Sequence, residues 1–117
     1  MLNNRELGAK YEQMAISYLE GIGMKIICKN FRCKIGEIDI IALDEHYTVF
    51  IEVKYRTDLK KGDPSEAINY FKQRIISKVA SFYLLKNKLS EYTPCRFDAI
   101  VILKDQIRHI KNAFDAV

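Results

Sequence analysis

Residues 37–43 (EIDIIAL) and 48–55 (TVFIEVKY) are two runs rich in Ile, Val, Phe and Thr, with only Asp44-Glu45-His46-Tyr47 between them. Runs of this kind so close together predict a β-hairpin, and no other stretch narrows the fold as far. Ile38, Ile40 and Ala42 alternate with Ile41 and Leu43, so both faces of the first of these strands are apolar. A sheet built on it needs cover on both sides.

Ionised side chains are conspicuous in such strands. By alternation Glu37 and Asp39 share one face, and Glu52, Lys54 and Arg56 share one face of the next strand. A tight Glu45-His46 turn sets Asp39 opposite Glu52 and Glu37 opposite Lys54, all on one side. Slipping the register by one residue would scatter them. Facing carboxylates destabilise a strand pair unless one is protonated or a cation sits between them. Two carboxylates with water completing the shell suit Mg²⁺, with Mn²⁺ as a substitute. Such an ion lowers the pKa of a bound water and neutralises charge on a phosphoryl oxygen. Lys54, on the same face, then orients the water or stabilises the transition state. The competing reading is a salt-bridged sheet face, Glu37 to Lys54, with no chemistry.

Around the hairpin the order is helix, three strands, helix, two strands. Asn3 followed by Glu6 is a capping-box pattern. Leu7, Tyr11, Met14, Ala15 and Tyr18 then recur at helical spacing until Gly21-Ile22-Gly23. Glu12 falls at the border of that apolar stripe. Residues 24–31 read as a strand and 32–36 as a basic turn. Asp63-Pro64-Ser65-Glu66 predicts the start of the second helix. Ile68, Phe71, Ile75, Val79, Phe82 and Tyr83 line one face of it to about Lys88. Residues 95–103 and 106–110 are two late strands joined by Lys104-Asp105. This αβββαββ order predicts an α/β fold, a mixed central sheet flanked by helices. With no repeat or linker in its 117 residues, the chain reads as one domain, 1–117.

Charge is uneven along the chain. Residues 1–36 carry six Lys/Arg against three Asp/Glu, residues 37–70 four against eight, and residues 71–117 nine against four. Basic flanks around an acidic middle suit a polyanion held beside carboxylates that bind a cation. Arg56 with Lys60 and Lys61, and Lys34 in the basic turn, are candidates for contact with a nucleic-acid backbone. No apolar run reaches the ~20 residues of a membrane span, and the N-terminus lacks a signal-peptide core. Three cysteines, an odd number, read as reduced thiols of a cytoplasmic protein. Cys28 and Cys33 have no second pair at zinc-site spacing. His46, His109 and Asp98 read as structural, Asp98 because core residues flank it.

The chain also resembles a known family. Asp39 followed by Glu52-Val53-Lys54 is similar to the D…(D/E)xK signature of restriction-endonuclease-like nucleases, with Ile38 where the fuller signature has proline. Gly8…Glu12…Ala15…Tyr18-Leu19, Asn30-Phe31-Arg32, Gly36-Glu37-Ile38-Asp39-Ile40-Ile41, Phe50-Ile51-Glu52-Val53-Lys54, Arg96-Phe97-Asp98 and Asn112-Ala113-Phe114 together resemble the YraN-like family of predicted endonucleases. That family is similar in plan to archaeal Holliday junction resolvases. The resemblance implies a restriction-endonuclease-like domain that hydrolyses DNA phosphodiesters, DNA in preference to RNA, with Mg²⁺. By the same resemblance Asp39 and Glu52 bind the metal, Lys54 assists the water, and Glu12 completes the site or binds a second ion. Lys72 and Gln73 match the helix-borne Lys/Gln of that nuclease class, and Glu37 is a secondary candidate. A resolvase-like role implies a homodimer. The alternative is a nucleic-acid-binding or protein-interaction module of the same fold without turnover.

Overall fold

The computed structural model describes residues 2–56 and 68–117. Its elements follow the expected order: α1 (Asn4–Gly21), β1 (Lys25–Arg32), β2 (Glu37–Asp44), β3 (Tyr47–Arg56), α2 (Tyr70–Lys86), β4 (Cys95–Leu103) and β5 (Gln106–Ile110). The capping box at the start of α1 is formed in full. Asn3 Oδ1 accepts from the Glu6 N–H at 2.8 Å, and the Glu6 carboxylate accepts from the Asn3 N–H at 3.3 Å. Past the C-cap Ile22, Gly23 takes φ 98°, a left-handed turn that costs glycine least.

The five strands form one mixed sheet in the order β1-β2-β3-β4-β5. β3 and β4 are parallel, with α2 in their connection, and every other neighbouring pair is antiparallel. The β2–β3 turn has two residues, Glu45 and His46, and Glu45 takes φ 56°. This short turn sets the expected register, Ile40 opposite Ile51 and Ala42 opposite Val49.

Helices cover both faces, as two apolar strand faces require. Ala15, Ile16 and Leu19 of α1 pack on Ile40, Ala42, Val49, Ile51, Ile100 and Ile102. Ile76, Val79, Ala80 and Tyr83 of α2 pack on Ile38, Ile41, Phe50 and Phe97 on the other side. Among the described residues no helix is long and apolar enough to cross a membrane. Cys28, Cys33 and Cys95 are free thiols.

Two expectations are corrected. The first concerns the second helix. Asp63-Pro64-Ser65-Glu66 lies outside the described residues, as do Lys60 and Lys61. The helix bearing the long apolar face starts at Tyr70, because Asn69 is extended (φ −74°, ψ 170°) and its side chain caps the Lys72 N–H. Its buried face centres on Ile76, Val79, Ala80 and Tyr83, leaving Phe71 71% and Phe82 39% exposed.

The second correction concerns alternation in β2. Ile38 packs with Ile41 against α2, whereas Ile40 and Ala42 face α1. Side chains therefore change face between Ile38 and Ile40. The position across β1, between Lys29↔Ile40 and Phe31↔Ile38, is Asn30, with φ 54°. A left-handed residue inside a strand swivels the chain, and asparagine is among the few that adopt this conformation readily.

Candidate functional site

The swivel opens a gap in the sheet. β2 stays paired with β1 out to Glu37↔Arg32, while its pairing with β3 ends at Ile40↔Ile51. β3 runs on beside β4 to Arg56↔Leu103. Beyond Ile51 the Val53 N–H has lost its β2 partner and donates to Asp39 Oδ2 at 2.8 Å. A carboxylate thus fills the fork between two diverging strands, held beside the residue that precedes Val53, Glu52.

Glu52 is only 6% exposed. Lys54 Nζ and Lys72 Nζ each lie 3.5 Å from its Oε1, the first from the same strand and the second from the first turn of α2. Phe50, two residues before Glu52, packs against α2, so alternation puts Glu52 and Lys54 on that side too. Glu12 comes from α1 and is half-buried, close enough to Asp39 and Glu37 to feel both charges. The fork therefore collects side chains from both faces of the sheet.

The electrostatics show a shortage of positive charge at Asp39. Burial, then repulsion by Glu52, push its carboxyl up to about 6, against the Val53 hydrogen bond and the more distant Lys72 ammonium. Burial and Asp39 likewise raise Glu12, while the Asn30 side chain and Lys29 pull it down. Among the described residues no three His, Cys, Asp or Glu side chains form a ready-made metal cage. The donor set is a pair of carboxylates of four oxygens, one of them engaged by Val53 N–H. That set fits a hard divalent cation that keeps several waters, as Mg²⁺ does, better than it fits zinc.

Of the residues singled out in the sequence, Asp39, Glu52, Lys54 and Lys72 come together here, with Glu12 and Glu37 at the margin. Glu37 does not face Lys54, as the extended ladder required. The ladder has ended, and Glu37 accepts from Arg32 Nε at 2.9 Å, its neighbour on β1. Gln73 Nε2 donates to the Ile68 carbonyl and Arg56 Nη1 to the Tyr55 carbonyl, so both are tied to their own backbone. Lys34 lies exposed in the β1–β2 turn, in a groove with Phe82 and Lys86. Asn30 and the Val53 N–H are the site groups that strand periodicity missed. An asparagine in mid-strand, opposite the aspartate, was the available signal.

Comparison with known proteins follows the same residues. The sequence model of a family described as uncharacterised protein family UPF0102 matches residues 11–102, which hold Glu12, Asp39, Glu52, Lys54 and Lys72. A UPF0102 protein of Lachnoclostridium phytofermentans is 53% identical over 115 residues, covering 98% of each chain. One of Clostridioides difficile is 48% identical over 97% of this chain and 100% of its own. One of Thermodesulfovibrio yellowstonii is 48% identical over 109 residues, 93% of this chain and 96% of its own.

Proposed function

Given that the chain belongs to uncharacterised protein family UPF0102, the YraN-like family its motifs resemble, we propose that it is a Mg²⁺-dependent endonuclease hydrolysing DNA phosphodiesters on a restriction-endonuclease-like plan. One observation carries this reading. The Asp39–Val53 hydrogen bond at 2.8 Å holds a half-buried carboxylate beside Glu52, with Lys54 and Lys72 each 3.5 Å from Glu52 Oε1. Burial and the neighbouring Glu52 push the Asp39 carboxyl up to about 6, which marks a place short of positive charge.

Asp39 and Glu52 would hold the ion, and Glu12 from α1 would complete its shell or serve a second ion. Mg²⁺ there supplies positive charge for the phosphoryl oxygens and a more acidic bound water. Lys54 stands beside the carboxylates on the α2 side, where its ammonium can orient the attacking water and offset charge gathering on phosphate. Lys72 adds a second cation from α2. Water adds to phosphorus as the sugar oxygen leaves, so the protein's contribution is positioning and fixed charge. Arg56, at the end of β3, and Gln73, in the first turn of α2, are candidates for contacts that seat the strand. A four-way junction, being symmetric, would call for a homodimer.

The test is a cleavage panel over labelled single-stranded, duplex, flap and four-way-junction DNA, with RNA counterparts, in Mg²⁺ or Mn²⁺. Metal-dependent cutting is expected, most of all on DNA. Asp39→Asn, Glu52→Gln and Lys54→Ala should each lower it by roughly 100-fold or more. Lys54→Ala should still bind metal, because its role lies in the transition state. If no substrate is cut and divalent ions leave the melt unmoved, the protein is instead a binding module that retains the fold.

A further inference from the structure

Away from the fork, the β1–β2 turn and the C-terminal half of α2 enclose a groove of about 480 Å³, lined by Arg32, Cys33, Lys34, Ile35, Phe82 and Lys86. Its walls are built. The Cys33 N–H donates to the Gly36 carbonyl at 2.9 Å, closing the turn. Gly36 presses so close to α2 that an added Cβ would lie 2.6 Å from a methyl of Ile75. The floor mixes apolar surface with positive charge. Ile35 is 45% and Phe82 39% exposed. Lys86 Nζ stands 5.7 Å from the Phe31 ring centroid, and Phe31 in turn packs against Phe82. Arg32 gives its Nε–H to Glu37, yet its side chain stays 74% exposed. Among the described residues neither Lys34 nor Lys86 is in an ion pair.

We propose that this groove binds an unpaired DNA strand, its phosphates on Arg32, Lys34 and Lys86 and a base against Phe82 and Ile35. Three cations and no carboxylate in the lining call for a polyanion. The accessible aromatic and aliphatic surface calls for a flat apolar face. A duplex hides its base faces in the stack and presents mainly phosphates, whereas an unpaired strand offers both parts together. The groove is also tied to the fork by one rigid element. α2 carries Lys72 at Glu52 and Lys86 in the groove, about 21 Å apart along the helix. A strand seated in the groove is therefore held at a set distance from the fork, which favours DNA with a single-stranded tail or branch. The identity of the polyanion rests on the phosphodiesterase reading.

Anisotropy titrations of labelled oligodeoxythymidine and of a blunt duplex, without divalent ions, test it. Phe82→Leu keeps an apolar contact for Phe31 but loses the flat face. It should weaken oligodeoxythymidine roughly tenfold and leave the duplex within about twofold. The Lys34→Ala, Lys86→Ala double variant should make the negative slope of log affinity against log salt shallower by about 1.4, two phosphate contacts on a single strand. Because Lys34 and Lys86 are exposed, this arm can be read even if Phe82→Leu loosens the fold. Wild-type affinity in Phe82→Leu, equal losses on both DNAs, or an unmoved salt slope overturns the groove. No cleavage enters the titration. A protein that cuts DNA while binding is indifferent to the groove refutes this inference alone, and one that binds through the groove but never cuts refutes the activity alone.

Discussion

Asp39 and Asp98 are the same residue type, in β2 and β4 of one sheet, both drawn away from water, and their surroundings treat them in opposite ways. Asp98, 1% exposed, receives Arg96 Nε at 2.9 Å, an Arg96 terminal nitrogen at 3.0 Å, His109 Nε2 at 2.7 Å and the Asn112 N–H at 3.0 Å. Arg96 reaches on to Asp44 at 2.9 Å, and Tyr18 meets His109 Nδ1 at 3.3 Å. Burial alone would raise the Asp98 carboxyl, but these donors together carry it below the usual carboxylate range. Asp39 has one backbone N–H and a second carboxylate for company, and its carboxyl rises. A buried charge with all its partners is a tie that joins β4, β5, α1 and the β2–β3 hairpin. A half-buried charge short of partners is a place where the molecule can take up a cation.

Mutation at the tie should have the largest effect. Asp98→Ala removes the acceptor shared by Arg96, His109 and the Asn112 N–H, leaving Arg96 only Asp44 among the described residues, and should cost about 3–5 kcal/mol in urea denaturation. Asp39→Asn should leave metal-free stability unchanged or slightly raised, since it removes repulsion from Glu52. Equal losses in the two variants would erase the contrast.

Next in size is the pH response without divalent ions. With its carboxyl at about 6 when folded and 3.8 as a free reference, Asp39 binds its proton more tightly in the native state. Stability should therefore rise as pH falls from about 7 to 4.5, by on the order of 2 kcal/mol, and Asp39→Asn should flatten that limb. Asp98 has the opposite sign. Its contribution is present above the unfolded carboxylate pKa, about 4, and is lost as pH falls through and below that value. Melts across this range would show whether the two limbs separate.

Smaller again is the response to metal. At ten times its dissociation constant, Mg²⁺ binding to the native state stabilises by about 1.4 kcal/mol. The gain should be present at pH 7.5, should shrink as Asp39 takes up a proton near pH 5, and should be absent in Asp39→Asn. A gain that survives in Asp39→Asn would move the metal elsewhere.

The smallest effect expected is at the swivel. Asn30→Ala forces a residue with a Cβ but no local polar side chain to hold φ 54°, at about 1 kcal/mol, and Asn30→Gly should recover it. If Asn30→Ala has no effect on stability or metal binding, the swivel is not what opens the fork.

Several of these contrasts were legible in the chain alone, and for definite reasons. The two-residue turn at Glu45-His46 sets the hairpin register, which runs to Ile40 opposite Ile51. The expected Asp39–Glu52 pair lies one step past its end, where Asp39 accepts from the Val53 N–H instead. Asn3 and Glu6 form a local capping box that needs nothing but four consecutive residues. Lys54 shares a face with Glu52 because strands alternate every two residues.

What escaped the linear reading depends on contacts between distant segments. Alternation predicts Glu37 opposite Lys54, but the swivel at Asn30 and Asp39 parts β2 from β3 before that pair can form. His109 shows no partner in the sequence, because Asp98 and Tyr18 reach it only once β5 folds onto β4 and α1 covers the sheet.

Short-range rules of cap, turn and two-residue period therefore determined the elements, their order and the shared face of Glu52 and Lys54. Tertiary structure decided which aspartate is compensated, where the sheet forks and that Lys72 faces Glu52. Those outcomes depend on burial and on charges brought together from separate elements, and neither is a property of any stretch of chain read by itself.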